Sequence, residues 1–292
     1  MHVHLVDGTY ELFRYFFSPG GGHRNSQGEE VGAVRGVLRS LATLLDDGGT
    51  HIGVATDHVI ESFRNDLWPG YKDGSGVDPV LLAQFPLLED ALRSAGFTVW
   101  AMVEVEADDA LGAAAKVASD DPRVERVLIC TPDKDLAQCV SDPVVAQFDR
   151  RAGVIRDEAA VFEKFGVRPA SIPDWLGLVG DSADGFPGIP GWGAKSAATV
   201  LARYGHIEEI PHDPSEWDVS VRAPGKLSEA LRANYEHALL FRRLATLELD
   251  VQVGSVDDWH WRGPRADFDD WAARLDAPEL PGKLDRLLAA RA

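Results

Sequence analysis

The sequence predicts an α/β protein built on a doubly wound, mostly parallel sheet, and three observations lead there. Short apolar, β-rich runs at 2–6, 52–56, 97–103 and 126–131 alternate with stretches of helical hydrophobic spacing. That alternation is the order in which parallel strands are joined by crossover helices. Acidic residues follow directly on these runs. Further along, a Gly/Pro-rich turn at 188–193 leads into an Ala-rich helix with Lys195 near its start.

Taken in order, residues 2–6 (HVHLV) form a strand ending at Asp7-Gly8, and residues 9–17 an aromatic-rich helix. Residues 31–46 carry apolar side chains at helical spacing, with Arg35 and Arg39 on another face. The strand at 52–56 ends at Asp57. After a polar, Gly/Pro-rich stretch, residues 79–95 read as one amphipathic helix. The strand at 97–103 is followed by Glu106, Asp108 and Asp109, which open a helix at 110–118. The run at 126–131 ends in Pro-Asp133-Lys-Asp135-Leu. Residues 249–253 have the pattern of a final strand. Residues 257–271 are aromatic and acidic, and are expected to pack on the core ahead of a short helical tail within 265–290.

A chain of 292 residues is long enough for one large domain or for one domain and a smaller appendage. No apolar run approaches the ~18 residues of a membrane helix. The N-terminus lacks the basic region, apolar core and cleavage site of a signal peptide. Cys130 and Cys139 make no disulfide framework and read as reduced core residues. These features predict a cytoplasmic protein. With 29 basic and 47 acidic residues the net charge is −18, which repels nucleic acid in bulk. Bound divalent ions would cancel part of that charge, and nucleic acid is met by local patches.

In open α/β sheets ligands bind beyond the carboxyl ends of the strands. The rule gathers Asp7, Asp57, Glu106, Asp108, Asp109, Asp133 and Asp135 along one edge, and Asp181 and Asp184 lie three apart, the spacing that turns both carboxylates one way. Like charges raise one another's pKa and oppose folding, so such a group suits hard divalent cations with oxygen ligands. His2, His4 and His58 have no matching cysteines for zinc. Singly, Asp7 and Asp57 equally suit helix caps, residues 106–109 a charged helix start, and Asp181 with Asp184 a solvated turn. The turn at 188–193 admits a close polyanion backbone, and the first amides of the helix behind it attract phosphate. A metal-seeking carboxylate group beside a phosphate-seeking surface suggests a metal-dependent enzyme acting on nucleic acid.

The motifs LVDG (5–8), TD (56–57) before SFR (62–64) and GYK (70–72), VEADD (105–109), TPDKDL (131–136) and GDSADGFPGIPGWGAKSA (180–197) resemble those of the 5′ nuclease family. That family comprises the 5′→3′ exonuclease domain of bacterial DNA polymerase I and the flap endonucleases. The resemblance runs from about residue 3 to 245, and with no polymerase region behind it the chain resembles a stand-alone member. It implies a PIN-like core over 1–170, a helix-three-turn-helix DNA-binding module over 171–250, and a tail over 251–292 packing on the core. It implies a monomer that hydrolyses DNA carrying 5′ flaps, nicks or ends by a two-metal mechanism, beside DNA polymerase and ligase and away from membranes. Mg²⁺ or Mn²⁺ would sit on Asp7, Asp57, Glu106, Asp108, Asp109, Asp133, Asp135, Asp181 and Asp184, with K⁺ on carbonyls of the module. Arg64, Tyr71 and Lys72 match the base of the family's helical arch, and Arg14 its aromatic-Arg pair near the scissile bond. Gly188, Gly191, Gly193, Lys195 and Ser196 match the duplex-clamping turn. Three departures stand out: Asp73-Gly-Ser-Gly where the family has an Arg, Ala183-Asp184-Gly185 for Ser-Asp-Asn, and Pro190 and Ala194 for polar clamp residues. Two rivals remain open at this stage: a PIN-type ribonuclease and a catalytically silent binder of branched DNA.

Overall fold

The apolar runs become strands, and those at 2–7 and 51–57 are buried on both faces, as the middle of a sheet covered by helices requires. The computed structural model describes residues 1–19 and 21–291, and these divide into two compact units. The first comprises residues 1–60, 74–131 and 249–292. Its strands β1 (His2–Asp7), β2 (His51–Asp57), β3 (Thr98–Met102) and β4 (Arg126–Cys130) run parallel. β1 lies between β2 and β4, and β3 flanks β2. Strand order thus reverses at β1, the kind of switch point at which open sheets bind ligands. Helices Gly8–Phe16, Gly32–Asp46, Gln84–Ser94 and Ala107–Ser119 flank this sheet.

Two expectations are corrected in this unit. The single helix expected at 79–95 is two, Pro79–Leu82 and Gln84–Ser94. Pro86 lacks an N–H and its ring opposes the carbonyl four residues back, so the break falls at Ala83. Residues 249–253 make no strand. The Val253 carbonyl accepts instead from two indoles, Trp100 Nε1 at 3.1 Å and Trp259 Nε1 at 2.8 Å. The aromatic stretch behind it does pack on the core: Trp259, Trp261 and Phe268 are buried, and helices Phe268–Arg274 and Glu279–Ala289 follow.

The second unit comprises residues 61–73 and 132–248. It holds an antiparallel hairpin of β5 (Val145–Asp149) and β6 (Val154–Arg156). Helices Glu158–Phe165, Ile172–Val179, Ala194–Tyr204, Pro224–Ala233 and Tyr235–Ala245 make up most of the rest. Between Ile172–Val179 and Ala194–Tyr204 the chain makes a succession of tight turns, closed by hydrogen bonds between Asp181 and Phe186 and from Trp192 N–H to the Ile189 carbonyl. This is the helix, turns, helix arrangement expected of the module. Phe186, Ile189, Trp192, Phe241 and Leu244 pack into its apolar core. Cys130 is buried, whereas Cys139 is only half-buried.

Candidate active site

In the first unit the carboxylates stand at the C-terminal ends of the strands. Asp7 ends β1: its Oδ1 accepts from Tyr10 N–H at 2.8 Å and its Oδ2 from Thr131 Oγ1 at 2.9 Å. Asp57 ends β2; its N–H donates to Thr9 Oγ1 at 2.9 Å, and its Oδ1 accepts from Ala107 N–H at 2.7 Å. Asp109 Oδ2 accepts from Glu106 N–H at 2.8 Å. These bonds tie the end of β1 to the residue after β4, and the end of β2 to the start of helix Ala107–Ser119, whose positive N-terminus favours the Asp57 carboxylate. Asp7, Glu106 and Asp109 are buried there and Asp108 is half-exposed. The capping alternative is therefore realised at Asp7. Capping does not compete with a cation, because each carboxylate oxygen keeps a second lone pair.

The second unit holds a tighter group. Ligand oxygens of Asp135, Asp181 and Asp184 all lie within 4.8 Å of one another, and all three residues are buried. Desolvation by burial raises the Asp135 carboxyl well above the usual aspartate value, helped by the charges of Asp133, Asp184 and Asp181 and opposed by Lys72. Asp135 Oδ1 is buried without a hydrogen-bond partner. A buried carboxylate oxygen without a hydrogen-bond partner, in a group of three buried carboxylates, is the donor chemistry of a hard-cation site, so these residues fit a divalent metal ion. Exposed Asp133 accepts from the Asp135 N–H at 3.0 Å. Lys72 Nζ lies 3.0 Å from Asp184 Oδ1, and Lys134 Nζ 2.6 Å from Asp181 Oδ2. Lys134 was not singled out by sequence reasoning, although it sits inside TPDKDL between two candidate ligands.

The turn at 188–193 divides by exposure. Gly188 is buried, with φ +70°, and a Cβ there would stand 2.4 Å from Gly180 N. Its small size serves this internal approach to Gly180, inside the turn that the resemblance matches to the duplex clamp. Gly191, Gly193 and Lys195 are exposed, and the Gly193 N–H donates to Ser196 Oγ at 3.1 Å. Gly191, Gly193, Lys195 and Ser196 line a groove of about 1300 Å³ whose other wall carries Arg222 and Lys226. Both cations escaped the sequence reading. The available signal was the Pro-Gly-Lys start of helix Pro224–Ala233, which repeats the Gly-Ala-Lys start of the helix before it.

Arg64 and Tyr71 require a larger correction. The resemblance matches them to the base of an arch above the metals, yet Arg64 is 2% exposed and Tyr71 5%. Arg64 Nε donates to the Leu244 carbonyl at 2.8 Å and Nη2 to that of Thr246 at 3.1 Å. The guanidinium is thus spent on the end of helix Tyr235–Ala245, where a cation suits the exposed carbonyls. Arg14 forms an ion pair with buried Glu11 and lies 4.3 Å over the Tyr15 ring.

An α/β unit with carboxylates at its strand ends, and a helical unit with a second carboxylate group and a cationic groove, are the parts of an α/β nuclease. The family model for the 5′-3′ exonuclease N-terminal, resolvase-like domain matches residues 2–166, and that for its C-terminal SAM fold matches residues 167–267. The chain belongs to the 5′-3′ exonuclease family. It is 32% identical over 261 residues to the 5′-3′ exonuclease of Aquifex aeolicus, covering 87% of this chain and 85% of that protein. It is 35% identical over 261 residues to DNA polymerase I of Mycobacterium tuberculosis, covering 87% of this chain but only 28% of the polymerase. Its fold matches that of a bacteriophage T5 flap endonuclease solved with DNA and metal ions, with a TM-score of 0.65 and 20% identity over 99% of this chain and 98% of that one.

Proposed function

We propose that the chain hydrolyses phosphodiester bonds in DNA bearing 5′ flaps, nicks or ends, as a 5′→3′ exonuclease and flap endonuclease dependent on Mg²⁺ or Mn²⁺. The observation that carries this reading is the buried group of Asp135, Asp181 and Asp184 with its partnerless Asp135 oxygen. Asp133 belongs with that group, and Asp7, Asp57, Glu106, Asp108 and Asp109 form the ligand set of the first unit. These residues would hold divalent ions, which when bound would supply acidification of a water and offset charge on the phosphate oxygens. Lys72 holds a phosphate oxygen while charge develops on it, the role in which a fixed cation is worth most. Lys195, Arg222 and Lys226 hold the backbone of duplex DNA, and carbonyls of the turns before helix Ala194–Tyr204 hold K⁺. Arg64 acts as a positioning residue, fixing the segment that ends in Tyr71 and Lys72. The working setting is a cytoplasmic monomer beside DNA polymerase and ligase.

The test is cleavage of a 5′-labelled flap DNA and a matched RNA hairpin by the full chain, in Mg²⁺ or Mn²⁺ with and without chelator. Cleavage of the flap that stops with chelator and with Asp135→Asn is the expected result. Preference for the RNA would move the chain to the ribonucleases, and binding of the flap with no turnover in either metal would make it a silent binder.

A further inference from the structure

Trp68 stands at the end of helix Phe63–Leu67, is only half-buried, and is nevertheless held in one orientation. Its Nε1 donates to the Gly185 carbonyl at 3.1 Å. The indole also meets Phe241 edge-on at 5.1 Å and His237 at 6.3 Å, ring centroid to centroid. His237 in turn stacks on Phe241, and Phe241 on Phe186, so the rings form a ladder rising out of the core of the second unit. Among its rings Phe186 and Phe241 are buried, while His237 is exposed. An indole that served only to fill the core would be covered. This one lines an open depression of about 700 Å³ together with Val179, Gly180, Ser182, Gly185 and Pro187.

That depression adjoins the carboxylate group. Gly185, which takes the indole N–H, directly follows Asp184, and Lys72, four residues beyond Trp68, pairs with Asp184 at 3.0 Å. A flat, pre-oriented aromatic surface beside a cation and a phosphate-handling site has the chemistry that receives a nucleobase, since every base offers a π-face. A lipid or an aliphatic side chain would gain nothing from the adjoining Lys72. We infer that Trp68 is a stacking platform for an unpaired base flanking the phosphodiester held at Asp135, Asp181 and Asp184. This inference rests on the nuclease reading above and assigns that site a base contact.

Binding of flap DNA in chelator is measured for the wild-type chain, Trp68→Leu and Trp68→Phe, each against substrates with one abasic position moved across the flap junction. Trp68→Leu should weaken binding about tenfold, in line with the loss of one stacked base, and Trp68→Phe less. At one position the abasic substrate should erase the difference between wild type and Trp68→Leu. A base adjoining the junction, replaced by 2-aminopurine, should be quenched in the wild-type complex, a readout that stands even if Trp68→Leu fails to fold. Losses that simply add at every position, or no quenched position, overturn the inference. If the wild-type chain cleaves the flap while the cycle shows no coupling, the platform alone is wrong; if it neither binds nor cleaves DNA, the nuclease reading fails and the platform with it.

Discussion

Lys72 holds Asp184 at two points: its Nζ lies 3.0 Å from Asp184 Oδ1, and its backbone N–H donates to the Asp184 carbonyl at 2.9 Å. The backbone bond fixes where the lysine stem starts, so the ammonium has a defined origin beside the carboxylates. Lys72→Ala keeps that backbone bond and removes only the charge. The expected outcome is a loss in single-turnover cleavage far exceeding the loss in DNA affinity, on the order of 10²-fold or more for a group aimed at developing charge. Parallel rate and binding titrations check this. Equal losses in both would mean that Lys72 acts only as a general attractant.

Asp135 gives a pH signature in the metal-free protein. Its folded carboxyl is raised above the ordinary 3.8, chiefly by burial, with the charges of Asp133, Asp184 and Asp181 adding to it. A raised acid contributes stability that is fully present below its unfolded pKa and lost as pH rises through the folded one. With chelator present, stability should therefore fall as pH climbs from about 4, and Asp135→Asn should flatten that slope. In the wild type at neutral pH, Mn²⁺ at ~100 times its dissociation constant should restore about 2.7 kcal/mol. Melting curves with EDTA and with Mn²⁺, for both proteins, test the pair of statements. A metal increment of the same size in Asp135→Asn would remove Asp135 from the ligands.

The parallel strands were legible because each is an apolar run beside crossover helices, and the positions of Asp7 and Asp57 because the switch-point rule looks to strand ends; the grouping of Asp135 with Asp181 and Asp184 needed the fold of the second unit. Arg64 was not legible. Its burial depends on carbonyls 180 and 182 positions away, and no local pattern distinguishes such an arginine from a solvated one. Residues 249–253 misled for a related reason: their period-2 pattern is real, but the indoles of Trp100 and Trp259 claim the Val253 carbonyl before a ladder can. Arg222 and Lys226 needed the fold, which brings the start of one helix opposite that of another.

The groove they share with Lys195 has a measurable electrostatic consequence. If each cation meets one backbone phosphate, Lys195→Ala and Lys226→Ala should each reduce the slope of log K against log salt by about 0.9 on B-form DNA. Base preference should not change, because phosphate contacts carry no sequence information. The double variant should lose about twice as much, the two side chains lying on separate helices. Binding isotherms at several salt concentrations decide it, and an unchanged slope for both variants would place duplex DNA elsewhere.

Gly185 stands where the resemblance leads one to expect Asn. Its φ is +83°, and a Cβ built on it would lie 2.0 Å from the Gly70 carbonyl oxygen. No side chain fits that approach without moving one backbone segment, so the glycine is a packing requirement of this chain. The segment that would move leads through Tyr71 to Lys72, and Gly185 also supplies the carbonyl that holds Trp68. Gly185→Asn should therefore cost about 1–3 kcal/mol through strained backbone and overpacking. For a chain of this size each kcal/mol lowers Tm by roughly 2–4 °C. Cleavage should fall further than stability alone explains, because Lys72 loses its fixed origin beside Asp184. Melting temperature and single-turnover rate, measured on Gly185→Asn and on Gly185→Ala, check both parts. A Gly185→Asn protein as stable and as fast as the wild type would show that Gly70 yields freely and that the spacing between these two segments does not position Lys72.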